Sequence, residues 1–158
     1  MKLLAVDPGV RCCGWALFQD TILEDCGLVR IMAKDYSDIS AFRTMANNFP
    51  RADWLAIEVP RIYERRKSKG DPEDILRLAI LCGVLIGRWP SSKIQAIRPR
   101  DWKGTIAKAR ITDYVIHLRN LEALRGRGFS RYVAAMDAIP KSLAHNVADA
   151  VGIGLWAL

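Results

Sequence analysis

The sequence predicts an α/β protein built on a five-stranded mixed sheet flanked by helices, and three observations carry that prediction. Short apolar runs alternate with longer helical stretches in the order strand, strand, strand, helix, strand, helix, strand, helix, helix. Only a short gap at Gln19-Asp20 separates the second and third runs, which makes them a hairpin. The fourth and fifth strand runs each follow a helix, so right-handed crossovers can extend an antiparallel three-strand meander with parallel strands.

Each element has a local reason. Residues 2–7 read as a buried strand that ends in the Asp7-Pro8-Gly9 turn. Gly14 to Phe18 and Thr21 to Arg30 read as the second and third strands. Ser40 to Asn47 suits a short helix, with Ser37 or Ser40 as its cap. Residues 53–59 form the fourth strand, and Arg61 to Gly70 is a polar break that reads as an exposed loop. Asp71-Pro72-Glu73-Asp74 is a helix start, with a capping aspartate, a first-turn proline and acids at the positive end of the dipole. That helix runs to Trp89. Leu78, Ala79, Leu81, Cys82, Val84, Leu85 and Ile86 cannot all face one core, so part of its surface is expected to meet another subunit. Lys93 to Ile97 is the fifth strand, closed by Arg98-Pro99. A helix is expected over Thr112 to Leu124, a basic loop around Gly126 and Gly128, and a last helix over Lys141 to Ala157.

A chain of 158 residues with 51% hydrophobic and 26% charged residues fits one domain, residues 1–158, with a core that needs no staples. The net charge of +7 favours a polyanionic partner. No apolar run reaches the ~18 residues of a membrane span, so no membrane partner is expected. The N-terminus meets an acidic turn at Asp7, too early for a signal-peptide core. Cys12, Cys13, Cys26 and Cys82 lack metal-binding spacing, and the adjacent Cys12 and Cys13 read as reduced, partly buried thiols. A cytoplasmic setting is the expectation.

Three acids sit where such a chain least needs them. Asp7 ends the first apolar run and Glu58 ends the fourth, while Asp149 lies inside the apolar helical stretch Val147 to Ile153. A carboxylate on the hydrophobic side of an element is costly unless it is paired, hydrogen-bonded or bound to metal. If the first and fourth strands are parallel neighbours, Asp7 and Glu58 end side by side at the strand carboxyl ends, where open α/β sheets place their sites. Asp149, on a helix packed across the sheet, can complete the group. Carboxylates in a basic protein suggest a hard cation facing an anionic substrate, hence phosphodiester chemistry on nucleic acid.

With these residues in place, the chain resembles the RuvC-type Holliday-junction resolvases of the RNase H-like superfamily. The resemblance rests on Asp7-Pro8-Gly9, Glu58, Asp149-Ala150 and the segment Arg98-Pro99-Arg100-Asp101-Trp102-Lys103, and covers nearly the whole chain in order and spacing. The short length and divergent middle look more like a phage-type member. The resemblance implies an RNase H-like fold, Asp7, Glu58 and Asp149 as metal ligands, and two Mg²⁺ ions that Mn²⁺ is expected to replace. It implies an in-line hydrolysis with no covalent intermediate, in which Lys103 or, more loosely matched, Arg110 neutralises the phosphate. Where the family carries an acid or histidine three residues before the last aspartate, this chain has Asn146, with His145 one residue earlier. Both positions share a helix face with Asp149, so His145 is expected to assist the metal and Asn146 stays open as the alternative.

Arg65, Arg66, Lys67 and Lys69 follow Glu58 closely and, with Arg100 and Lys103, are expected to contact phosphates. Tyr63 either stacks on a base or packs on its own loop. Trp102 reads as a packing residue, and Arg125, Arg127 and Arg131 form a second basic cluster without an assigned role. The expected partners are a four-way junction or other branched DNA and a second copy of the chain, since a junction's two-fold symmetry suits a dimer. The alternatives are a less selective flap, fork or RNA–DNA hybrid nuclease, and a branched-DNA-binding protein without activity. An actin-like nucleotide-binding domain ranks last, because the chain lacks a second glycine-rich phosphate loop.

Overall fold

The computed structural model describes residues 1–30, 39–60, 71–90, 93–104 and 113–158. Five strands, β1 (Lys2–Asp7), β2 (Cys12–Gln19), β3 (Ile22–Arg30), β4 (Trp54–Glu58) and β5 (Ile94–Ile97), form one sheet in the order β3-β2-β1-β4-β5. β3, β2 and β1 pair antiparallel, while β4 and β5 run parallel to β1. The expected mixed sheet is therefore present, with a register shift between Leu17 and Phe18. β2 is longer than predicted, because Cys12 and Cys13 pair with Arg30 and Val29 of β3. All four cysteines are free and buried, so Cys12 and Cys13 are covered more fully than their adjacency on a strand suggests.

The two faces of the sheet alternate as strand geometry requires. Leu4, Val6, Leu55 and Ile57 face α1 (Ile39–Ala46) and α2 (Pro72–Arg88), where they meet Phe42, Met45, Leu81, Cys82 and Leu85. Leu3, Ala5, Ala16, Phe18 and Ala56 face the other way, into a cluster with Val147, Ala150, Val151 and Ile153 of the last helix. Across that face, Ala16, Ala5 and Ala56 stand in one register row over β2, β1 and β4. Three methyl-sized side chains in a row leave a shallow shelf, so a helix can lie close to the backbone of the sheet.

Two helices were not expected from the sequence. α3 (Pro99–Lys103) is a single turn, nucleated where the Asp101 carboxylate accepts the Arg98 backbone N–H at 3.2 Å and its Nε at 2.9 Å. α5 (Phe129–Ala138) follows the stretch read as a basic loop. Gly128, at φ 105°, starts α5 with a Cα so near Leu23 that a Cβ would lie 2.4 Å from that carbonyl oxygen. Between them, α4 (Asp113–Ala123) matches its expected span within two residues, and α6 (Ala144–Ala157) begins three residues later than Lys141. Ser40 lies inside α1 and does not cap it, while Ser37 is outside the described residues. Asp71 caps α2 as read, accepting the Glu73 N–H at 3.0 Å. No helix among the described residues is long and apolar enough to cross a membrane.

Candidate active site

The alternation that buries Ala5 and Ala56 under α6 also aims the next odd and even positions, Asp7 and Glu58, to the same side. Val6 pairs with Ile57 in the parallel β1–β4 ladder, so the two carboxylates leave adjacent strands one residue further on. α6 reaches them because nothing projects from Gly14, the β2 partner of Asp7. A Cβ there would stand 1.9 Å from the Asn146 carbonyl oxygen. Gly152 and Gly154 allow the same intimacy, with Trp102 and Phe18 against their Cα atoms. Asp149 is thereby buried in the apolar row Val147 to Val151 and faces the strand ends.

The electrostatics show that the three acids share one environment. Burial holds the Asp7 carboxyl well above its ordinary range, and the charges of Asp149 and Glu58 push it further, against the opposing pull of Lys103. Glu58 is also raised, mainly by burial, although Lys103 and a hydrogen bond from Trp102 resist the shift. Lys103 lies among them, its Nζ 2.6 Å from Asp149 Oδ2. Burial alone would lower the pKa of that ammonium, but Asp149, Glu58 and Asp7 together raise it. The Trp102 indole donates from Nε1 to Glu58 Oε2 at 2.6 Å, and Lys103 Nζ lies 4.6 Å from the centre of the same ring. α3 thus delivers a donor and a cation to two of the three carboxylates from consecutive residues.

With Asp149 drawn to Lys103 and Glu58 to Trp102, no three His, Cys, Asp or Glu side chains among the described residues are grouped as a ready metal cage. The donor chemistry nonetheless suits a hard cation. Asp149 and Glu58 raise the pKa of Asp7, and Asp149 raises that of Glu58, against the pull of Lys103, as crowded oxygen donors awaiting a cation would. Asp7, Glu58 and Asp149 are the residues able to hold such ions. His145 and Asn146 occupy the first turn of α6 and are half-buried, and neither side chain bonds to the three acids. Asn146 meets the site through its backbone, at Gly14.

Arg100 stands exposed on α3, with Nε 3.8 Å from Asp101. Tyr63, Arg65, Arg66, Lys67, Lys69 and Arg110 lie outside the described residues. In the second basic cluster, Arg131 donates to the Leu23 carbonyl at 3.0 Å and Arg127 to the Ala123 carbonyl at 2.8 Å. Arg127 closes the turn after α4, while Arg131 ties α5 to β3.

Sequence reading missed two contributors. Trp102 reads from the sequence as a packing residue alone, and its bond to Glu58, 44 positions away, leaves no local signal. The other is Asn120, almost wholly buried, whose Nδ2 donates to the Ala148 carbonyl at 2.7 Å and lies 3.4 Å from the Tyr132 hydroxyl. Tyr132 in turn meets His117 Nδ1 at 2.9 Å. A lone asparagine in the apolar α4 pattern signals a buried partner, but not which one.

Three antiparallel strands continued by two parallel ones, with a helix carrying an acid across the strand ends, define an RNase H-like fold of the kind found in junction resolvases. Among the solved structures similar to it are RuvC of T. thermophilus in complex with a Holliday junction substrate and the fowlpox virus resolvase in complex with Holliday junction DNA. The first aligns with 99% of this chain and 91% of its own at a TM-score of 0.63 and 16% identity. The second aligns with 99% of this chain and 97% of its own at 0.57 and 12% identity. A second T. thermophilus RuvC structure covers 99% of this chain and 92% of its own, at a TM-score of 0.58 and 15% identity. At these identities the likeness is one of fold. No protein-family model matches the sequence, and no curated protein matches it.

Proposed function

We propose that this protein is a divalent-metal-dependent endonuclease that resolves Holliday junctions or closely related branched DNA. The observation that carries the reading is the meeting of Asp7, Glu58 and Asp149 at the carboxyl ends of β1 and β4, in a fold shared with resolvases solved on junction DNA. Asp7, Glu58 and Asp149 would hold Mg²⁺, with His145 as an assisting ligand and Asn146 as its alternative. The bound ions would supply Lewis-acid activation of water and stabilisation of the leaving 3′-oxygen.

The chain's own groups have distinct tasks in this reading. Lys103 is a cation already held inside the carboxylate cluster, placed to offset the charge that a phosphodiester gains as it is attacked. Trp102 excludes water from one side of Glu58 and fixes that carboxylate. Arg100 faces solvent on the same turn and suits a flanking phosphate. Arg65, Arg66, Lys67, Lys69, Arg110 and Tyr63 belong to the segments that follow Glu58 and Lys103 in the chain, and we assign them contacts to the junction arms. A homodimer formed through α2 would give the two sites that a two-fold substrate requires.

Labelled four-way junctions, forks, RNA–DNA hybrids and linear duplex, incubated with wild type and Asp7→Asn in Mg²⁺ and in EDTA, test the assignment. Paired symmetric nicks on the junction, lost in the variant and in EDTA, are the expected result. Equal cutting of forks or RNA–DNA hybrids would replace it with a less selective nuclease. Junction binding without cleavage in any divalent metal would leave a binding protein.

A further inference from the structure

Glu58 is held by one oxygen only. Its Oε2 accepts the indole N–H of Trp102 at 2.6 Å, and no other hydrogen bond reaches the carboxylate among the described residues. The indole cannot easily give way. Trp102 is 5% exposed, and its ring lies so close to α6 that a Cβ on Gly152 would stand 2.5 Å from Cζ3. Lys103 Nζ rests 4.6 Å from the ring centre. The tryptophan is therefore wedged between the strand that carries Glu58 and the helix that carries Asp149, with its single donor spent on one carboxylate oxygen.

A carboxylate capped in this way leaves Oε1 fully open to a cation and Oε2 with its remaining lone pair only, which disfavours ligation through both oxygens. Mg²⁺ is octahedral, keeps several waters and takes carboxylates through single oxygens. Ca²⁺ is larger, takes six to eight oxygens and is well served by bidentate carboxylates. We infer that Trp102 is a specificity-determining positioning residue, which biases the carboxylate cluster toward Mg²⁺ and against Ca²⁺ by holding Glu58 to one-oxygen ligation. The inference rests on the metal-dependent reading of the site and adds to it the residue that selects among ions.

The test measures metal binding in the absence of DNA. Mg²⁺ and Ca²⁺ affinities are determined by calorimetry for the wild type and for Trp102→Phe, which keeps an aromatic ring against Gly152 and removes the donor. The Ca²⁺-to-Mg²⁺ affinity ratio is expected to rise about tenfold in the variant, the scale on which groups bonded to metal ligands act. An unchanged ratio overturns the inference. If the wild type binds neither ion, the metal-dependent reading itself fails, and the inference falls with it. If the variant does not fold, the wild type decides through the Trp102 indole N–H, observed by ¹⁵N NMR hydrogen exchange. Protection kept at saturating Mg²⁺ and reduced at saturating Ca²⁺ supports selection by Trp102. Equal protection with both ions, or its loss with Mg²⁺, overturns it.

Discussion

The fold disfavours the ionised form of Asp7. Burial first, then Asp149 and Glu58, raise its pKa in the native protein above the ~3.9 of an unfolded chain. A raised carboxyl contributes stability that is complete below the unfolded value and is lost as pH rises through the folded one. Asn at this position never ionises. Asp7→Asn is therefore expected to match the wild type below about pH 4 and to exceed it at pH 7.5 in EDTA, by about 1 kcal/mol or ~3 °C in melting temperature. Differential scanning calorimetry across pH checks this, and a constant difference at every pH would contradict it. Saturating Mg²⁺ should raise the wild type and not the variant. Lys103 works in the opposite sense, since its ammonium is the counter-charge of a nearly buried Asp149. Lys103→Met should lower the melting temperature in EDTA by roughly 5 °C, because removing the cationic partner of a nearly buried ion pair costs about 2 kcal/mol once partial exposure is allowed for. Mg²⁺ should recover most of that loss, so the variant's metal-induced shift should exceed the wild type's.

At the scale of elements, the site depends on how closely α6 approaches the sheet. Gly14→Ala puts a methyl group on the Asn146 backbone, which no side-chain rotation can relieve. It is expected to cost about 3 kcal/mol and to weaken metal binding by shifting Asp149 away from Asp7. Gly87→Ala is the control. Nothing lies within 4 Å of its added Cβ in the single chain, so the same substitution inside α2 should stabilise the isolated subunit by about 0.7 kcal/mol. Urea denaturation of both proteins distinguishes a packing requirement at Gly14 from a general effect of glycine replacement. The contrast also marks what the sequence could convey. The strands, the Asp71 cap and the ends carrying Asp7 and Glu58 were legible because periodicity and caps are local properties. α5 was not, since two glycines and a run of arginines outweigh its apolar positions, and its fixing contact is with Leu23, more than a hundred residues earlier. α3 escaped because a five-residue turn has no period to read. The Trp102–Glu58 bond spans β4 to α3, so local patterns gave its members and not their meeting.

For the whole molecule, the unresolved demand of the sequence is the outer surface of α2. Its inner side is spent on Leu81, Cys82 and Leu85, which are buried against β1 and β4. Leu76 remains 50% exposed, and Ala79, Gly83 and Gly87 continue the same face at helical spacing, all exposed. Small residues at that spacing let two helices approach closely. A two-fold dimer through this face would leave the carboxylate cluster free, because Asp7, Glu58 and Asp149 lie on the opposite side of the sheet from α2. Gly83→Glu separates folding from assembly, since its Cβ meets nothing within 4 Å in the single chain. Circular dichroism of the variant should match the wild type. Sedimentation equilibrium should show a dimer for the wild type and a monomer for the variant, and a monomeric wild type would place the second nick on a second binding event. On a four-way junction, the dimer should release both nicks within one bound lifetime. The Gly83→Glu monomer should accumulate singly nicked junctions, which a supercoiled cruciform plasmid reports as open circle in place of linear product.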